Sequence, residues 1–344
     1  MSRVFVVAEA GANHNRNKDV AFELIDAAVQ SGADAAKFQT YSANTLYSRF
    51  TPNFAGYEDV FNFIKSIELP REWQKDLKLY CDDNGIEFMS TPFDERAVDE
   101  LYDLGVERFK IAGFEATDPR FVQYVSATKL PLIITVGIGC DLEMTQTIMD
   151  WVYSVNASAE LTLLHGNHSY PTPYEDINLG QISNFRQQFD SFVRRRGLKI
   201  GLSDHTEGIL VPPLAVMLGA EVIEKHYTLD RNMIGPDHFF AIVPTELDEM
   251  VTNIRIAETC NAVRDCKFTK SEQKYLKAMR SVVAKTPLNK GDVFSTENIT
   301  TKRPYLENSI AAIDFFNLLG KRINVNLGSD KIVEKEMIDE WKER

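Results

Sequence analysis

Six side chains carry most of the chemistry that this sequence could do: two histidines, two lysines and two carboxylates. His205 follows the apolar run 198–202 through Ser203 and Asp204, and His226 follows the run 221–224 through Lys225. Segment 209–218 between them is apolar and of helical length. A strand–helix–strand unit with a right-handed crossover brings the two strand ends side by side. Two imidazoles held there make a divalent metal site. With only two protein ligands, several positions stay open for water and substrate oxygens, which suits Mn²⁺ or Mg²⁺ better than a closed zinc site. The competing reading is a pair of buried histidines hydrogen-bonded to neighbours. Lys37 and Lys110 end two further apolar runs, where two ammonium groups favour a phosphate or carboxylate, and Thr91 and Thr135 add hydroxyl donors. Snorkelling lysines are the plainer alternative. Glu9 and Asp237 are acid–base candidates. Asp237 lies in the turn Gly235-Pro236-Asp237-His238, where capping is the alternative role, as a salt bridge is for Glu9.

The elements that must position these groups alternate. Strand-like runs fall at 4–8, 33–38, 86–89, 108–112, 131–136, 161–164, 198–202 and 221–224, mostly separated by helical patterns that close with 247–263. Eight strands alternating with helices predict a (β/α)8 TIM barrel over 1–263. An open doubly wound sheet is the runner-up, but no glycine-rich phosphate turn is present. In a barrel the strand C-termini share one face, so Glu9, Lys37, Thr91, Lys110, Thr135, His165, His168, Tyr170, His205 and His226 are expected at the mouth. All six histidines (His14, His165, His168, His205, His226, His238) fall in or just after these strand ends. The long connection 41–70 holds a cluster of aromatic residues between Tyr47 and Phe63, including Phe54 and Tyr57, and reads as packing or added helix. Residues 264–280 form a polar linker with helical content. Residues 281–344, with turns at Asn289-Lys290-Gly291-Asp292 and Leu327-Gly328-Ser329-Asp330, read as a small mixed domain.

Composition narrows the function. Of 344 residues, 44% are hydrophobic and 26% charged, as in ordinary globular proteins. A net charge of -12 argues against a nucleic-acid surface, while local lysines can still hold an anion. Cys81, Cys140, Cys260 and Cys266 have no metal or redox spacing, which points to a reducing cytoplasm. No apolar run is long enough to span a membrane, so no membrane partner is expected.

The motifs AEAGANHN, KFQTY, STPFD, FKIAGFE, YPTPYED, GLSDHT, EKHYT and GPDH occur in this order. Together they resemble the sialic acid synthase family, whose members condense phosphoenolpyruvate with an N-acetylated amino sugar to make nonulosonic acids. The tail from Ser281, with Lys302-Arg303-Pro304, resembles that family's antifreeze-like (SAF) domain. The resemblance implies a metal-dependent reaction in a domain-swapped homodimer, with the small domain of one subunit capping the other's barrel and Arg303 reaching the sugar. It implies Mn²⁺ on His205 and His226. It places Lys37, Gln39, Thr91, Lys110, Thr135 and Ser203 around phosphoenolpyruvate, and Glu9, Tyr170, Glu224 and Asp237 around the sugar and reaction centre. Some positions depart from the family pattern. Gly113 stands where many members have serine, and Thr135-Val136-Gly137-Ile138 replaces STGM. Gly166-Asn167-His168 replaces CTN or CTS, which makes His168 the substrate-binding candidate there, and Tyr305 stands in place of glycine. FKIAGFEATD is nearer the pseudaminic-type pattern and YPTPYED nearer the N-acetylneuraminate type, so either N-acetylmannosamine or a diacetamido-dideoxyhexose is an expected acceptor. A Schiff-base aldolase on Lys110 or Lys37, and a non-catalytic sugar-binding homologue, are the alternatives from other classes.

Overall fold

Alternation of inward and outward side chains along eight largely apolar strands builds the frame of the site. In the computed structural model, which describes residues 3–53, 58–339 and 341, eight strands form one parallel sheet: β1 (Phe5–Gly11), β2 (Ala35–Thr40), β3 (Glu87–Pro92), β4 (Phe109–Ile111), β5 (Leu132–Val136), β6 (Leu161–Gly166), β7 (Lys199–Asp204) and β8 (Val222–His226). The hydrogen-bonded order is β3-β2-β1-β8-β7-β6-β5-β4, and β4 lies beside β3, so the ring closes as a (β/α)8 barrel. The chain divides into two units, residues 1–262 and 263–344.

Successive strand side chains point to opposite faces. Outward residues such as Val6, Ala8, Phe38, Ile134, Leu163 and Ile200 pack against the helices in the main core. Inward residues Val7, Ala35, Met89, Ile133, Leu164 and Val222 fill the lumen as a separate apolar layer. Two residues further along their strands come Glu9, Lys37, Thr91, Thr135 and Glu224, all buried. The lumen therefore changes from apolar to charged within one strand repeat. Gln39 and His226 follow after another two residues.

The connecting helices start where short acceptors satisfy free N–H groups. Asp94 caps Glu95–Leu104 by accepting from the Ala97 N–H at 2.7 Å, Asp118 precedes Pro119–Ala127, and Asp141 caps Leu142–Val155 through the Met144 N–H at 2.8 Å. The connection 41–70 contributes helices Ala43–Leu46 and Val60–Ile67. Phe54 and Tyr57 of its aromatic cluster lie outside the described residues.

Several strands run further than their apolar runs do. β1 continues to Gly11, β3 to Pro92, β6 to Gly166, β7 to Asp204 and β8 to His226. Parallel pairing continues through Ser203↔Glu224 and Asp204↔Lys225 because the ladder uses only backbone groups and the polar side chains satisfy one another. On the outer face, Lys225 Nζ meets Asp204 Oδ2 at 2.7 Å with both side chains buried. Asp204 Oδ1 also accepts from the N–H and Oγ1 of Thr206, and Lys225 donates to the Thr206 carbonyl. This pair ties β7 to β8 one residue before each of His205 and His226.

In the second unit, β9 (Ser281–Ala284) and β10 (Ile299–Lys302) pair antiparallel over a core of Val282, Phe294, Ile299, Ile310, Leu318 and Val333. A short 3₁₀ turn, Gln273–Ala278, accounts for the helical content of the linker. All four cysteines are free. Among the described residues no helix is long and apolar enough to cross a membrane.

Replacing Lys225 with Met strands a buried aspartate, and a broken buried pair typically costs about 3–5 kcal/mol. Lys225→Met is therefore expected to lower the urea midpoint sharply, whereas the double change Lys225→Met with Asp204→Leu recovers part of the loss. Equal urea curves for Lys225→Met and the parent would contradict this role.

Candidate active site

Two lysines and two glutamates meet at the C-terminal end of the lumen. Lys37 Nζ lies 2.7 Å from Glu9 Oε2 and 3.7 Å from Glu224 Oε2, and it donates to Thr91 Oγ1 at 3.0 Å. Lys110 Nζ reaches Glu224 Oε1 at 2.9 Å, and Ser203 Oγ donates to the same oxygen at 3.0 Å. Gln39 Nε2 donates to Glu9 Oε1 at 2.7 Å. All four charged side chains are at most 5% exposed.

The two carboxyls are driven apart in acidity. Burial raises the Glu9 pKa to about 7; Lys37 opposes this and Glu224 adds to it. Burial also works against ionised Glu224, but Lys110 and Lys37 outweigh it and hold that carboxyl well below the usual range. Burial lowers the Lys37 ammonium, yet Glu224 and Glu9 more than compensate and raise it. For Lys110 burial prevails over Glu224 and the pKa falls. One carboxylate thus stays ionised while the other can exchange a proton near neutrality, the separation that acid–base chemistry requires.

His205 and His226 stand beside this group with ring centroids 5.4 Å apart. Nδ1 of His205 faces the Asn167 carbonyl, which fixes the N–H there and leaves Nε2 with its lone pair. Burial lowers His205 to about 4 and takes His226 well below its ordinary value, so both rings are neutral. His226 Nδ1 is buried without a hydrogen-bond partner, 3.6 Å from Asp237 Oδ2. Burial raises Asp237 to about 6, against the Ala12 N–H and Lys37. Gly11 makes this approach possible: its φ is +52°, and a Cβ there would lie 2.8 Å from Asp237 Oδ2. Tyr170 lies over His205 at 4.3 Å between centroids, and Phe240 packs against both Tyr170 and His226.

Among the described residues no group of three or more His, Cys, Asp or Glu is arranged to hold a metal. The donor set is instead two neutral imidazoles, one with an unpartnered buried nitrogen. That fits a cation whose other positions belong to water and substrate.

The structure brings Glu9, Lys37, Gln39, Thr91, Lys110, Thr135, His168, Tyr170, Ser203, His205, Glu224 and His226 around one cavity, with Asp237 at its edge beside His226. Arg303 lies elsewhere in the chain, exposed in the second unit just after β10. The histidine pattern is only half a site pattern. His165 points outward, with Nε2 2.7 Å from the Ile177 carbonyl and its ring against Phe185. His14 packs between Phe38 and Trp73, and His238 bonds Thr228 and Asn15. The alternation that turns Leu164 inward turns its neighbour His165 outward, so a place at a strand end does not by itself bring a side chain into the lumen. Not legible in the sequence are the places of Phe240 against His226, of the Asn167 carbonyl at His205 Nδ1, and of Glu115, buried within electrostatic reach of Lys110. Burial raises Glu115 to about 7, against its own backbone N–H and Lys110, and its Oε2 has no partner. Glu115 stood within the FKIAGFE motif. No sequence signal marked the other two.

A (β/α)8 barrel whose mouth gathers buried lysines, carboxylates of divergent acidity and two neutral imidazoles has the frame of an enzyme for anionic substrates. The chain belongs to the NeuB family, which matches residues 24–264, and a SAF domain matches residues 279–339. It is 39% identical to the N,N'-diacetyllegionaminic acid synthase of Legionella pneumophila, over 97% of this chain and 94% of that one. It is 35% identical to the enzyme of the same name from Campylobacter jejuni, over 97% of this chain and 100% of the other. The crystal structure of N-acetylneuraminic acid (sialic acid) synthetase from Leptospira borgpetersenii in complex with citrate aligns with a TM-score of 0.69 at 31% identity, covering 80% of this chain and 91% of that one.

A raised carboxyl pKa means the folded state binds more protons than the unfolded chain between about pH 4.5 and 7. Glu9 therefore stabilises the fold less as pH rises through that window. Glu9→Gln is expected to gain thermal stability relative to the parent from pH 4.5 to 8. A melting-temperature difference that stays constant with pH would contradict the raised pKa.

Proposed function

We propose that this protein condenses phosphoenolpyruvate with an N-acetylated amino sugar to give a nonulosonic acid and inorganic phosphate. The observation that carries the proposal is the buried quartet Lys37, Lys110, Glu9 and Glu224, set beside Thr135 Oγ1 and Glu224 Oε2, which are buried without hydrogen-bond partners. Such atoms call for a polar ligand. The names of the relatives support the reaction class. Two N,N'-diacetyllegionaminic acid synthases among them make a diacetamido-dideoxyhexose the first acceptor to test, ahead of N-acetylmannosamine.

Lys37 and Lys110 offset charge on the carboxylate and phosphate of phosphoenolpyruvate, with Thr91, Thr135 and Ser203 as hydroxyl donors. Tyr170, Glu224 and Asp237 line the open-chain sugar. Bound Mn²⁺ or Mg²⁺ on His205 and His226 would supply Lewis-acid polarisation of the sugar aldehyde. The C3 methylene of phosphoenolpyruvate forms the new bond to the aldehyde carbon, whose oxygen becomes the product hydroxyl by taking the proton that the water added at C2 gives up through Glu9. C2, now cationic, accepts a water. Glu9 removes a proton from that water, with its carboxylate oriented by Gln39 and Lys37. The tetrahedral C2 then loses phosphate and becomes the keto carbon. The protein works as a homodimer in which Arg303 of the small domain reaches the sugar in the other subunit. The four free thiols are compatible with a cytoplasmic setting.

Phosphate release from phosphoenolpyruvate is expected only with Mn²⁺ or Mg²⁺ and a suitable sugar, and is lost with EDTA. His205→Ala should abolish it together with Mn²⁺ binding measured by titration calorimetry. Borohydride trapping of pyruvate on a lysine, without metal, would replace the proposal with the Schiff-base reaction.

Complementation tests the swapped cap. A His205→Ala chain and an Arg303→Ala chain, each inactive, should regain activity when unfolded and refolded together, because a mixed dimer holds one intact barrel with one intact cap. No recovery in mixed dimers verified by mass would exclude the swap.

A further inference from the structure

One buried histidine that does not line the cavity joins two loops of the mouth. Beyond His226 the chain makes a closed excursion. Tyr227 bridges Ile242, the Thr228 N–H donates to the Ile242 carbonyl at 2.9 Å, and the Ile242 N–H donates to the His226 carbonyl at 3.1 Å. Residues 229–241 therefore form a compact loop with a fixed neck. His238 lies inside it, fully buried and apart from the residues around the substrate cavity.

Both ring nitrogens of His238 are engaged. Asn15 Oδ1 can only accept, so Nε2 carries the proton and donates it across 3.2 Å. Nδ1 then accepts the Thr228 hydroxyl at 2.6 Å, and the same hydroxyl oxygen accepts the Asp230 N–H at 3.3 Å. One bond holds the ring to the neck of its own loop, and the other crosses to the loop after β1. That second loop is bent to meet it: Asn15 and Arg16 have φ of +48° and +52°, a left-handed conformation unfavourable to L side chains. Gly235 leaves the space for the contact. A Cβ there would lie 2.6 Å from His238 Cδ2 and 2.9 Å from Asn15 Oδ1.

The residue that this clasp carries is Asp237. Its carboxylate accepts the Ala12 N–H of the loop after β1 and lies 3.6 Å from His226 Nδ1. We infer that His238 is a positioning residue: by tying the loop after β8 to Asn15 it holds Asp237 in place for the acceptor sugar, while the phosphoenolpyruvate side of the mouth does not depend on it. The inference rests on the proposed reaction for the identity of the ligand that Asp237 meets. His238 itself touches no substrate.

Kinetics at saturating Mn²⁺, with phosphoenolpyruvate and the sugar that the parent turns over, test this alongside calorimetry with phosphoenolpyruvate alone. His238→Ala should lower kcat/KM for the sugar ~10-fold or more, as expected for losing a hydrogen bond to a charged group, while phosphoenolpyruvate binds as it does to the parent. The loss should match that of Asp237→Ala and add nothing in the Asp237→Ala background. His238→Gln, whose amide keeps an N–H donor for Asn15, should recover part of it. Asn15→Ala should repeat the effect from the other loop, and it takes the place of His238→Ala if melting temperatures show that variant to be unfolded. Unchanged kcat/KM in His238→Ala, a further loss on top of Asp237→Ala, or an equal loss of phosphoenolpyruvate affinity overturns the inference and leaves the reaction standing. Absence of sugar-dependent phosphate release by the parent protein overturns both.

Discussion

Balance among four buried charges governs the barrel mouth. A lone ammonium or carboxylate in that lumen would face a desolvation penalty of several kcal/mol. Lys37, Lys110, Glu9 and Glu224 are tolerated because each lies within reach of an opposite partner. Balance leaves an asymmetry: Glu224 is near both lysines and remains ionised, while Glu9, near one, titrates close to neutrality. The group able to move a proton is thus the less well paired carboxyl. The apolar layer of Val7, Ala35, Met89, Ile133, Leu164 and Val222 below excludes water and makes that difference matter.

Around the charged layer, the rim is shaped by residues that leave room. Gly11 lets Asp237 approach His226, Gly113 admits the His168 ring, Gly137 admits the Gly166 carbonyl, and a Cβ on Gly166 would lie 2.9 Å from Thr135 Cγ2. Gly11, Gly113 and Gly166 make room for a side chain from another segment, and Gly137 for a backbone carbonyl. The mouth is in that sense a set of complementary pairs, and a family pattern altered at one member of a pair is intelligible once the other is seen. Gly113 and His168 are separate oddities along the chain and one feature in space.

Support for the imidazoles lies on the opposite face of their strands. Asp204 and Lys225 pair immediately before His205 and His226, and the Asn167 carbonyl fixes the ring of His205. The alternation that sends one residue into the lumen sends its neighbour into the layer beneath the helices. A single strand repeat therefore supplies both a functional group and its anchor.

Much of this was legible in the chain itself. Alternating strand and helix patterns determined the barrel, and the convergence of strand ends in a barrel is enough to gather Glu9, Lys37, Thr91, Lys110, Thr135, His205 and His226. Ordered motifs pointed to the NeuB-type reaction. Which face each residue takes was harder: apolar runs understated the strands, since backbone pairing continues through polar residues, and His165 was placed at the mouth when its side chain points away. Acidity, ring tautomers and the meaning of the glycines were decided only by the tertiary structure. They depend on distances between loops far apart in sequence, where a few tenths of an ångström separate a hydrogen bond from a clash. The sequence by itself determined which groups would meet, because local pattern and barrel topology dictate that. Folding decided how they share charge and space, because burial and close contact are properties of the packed molecule.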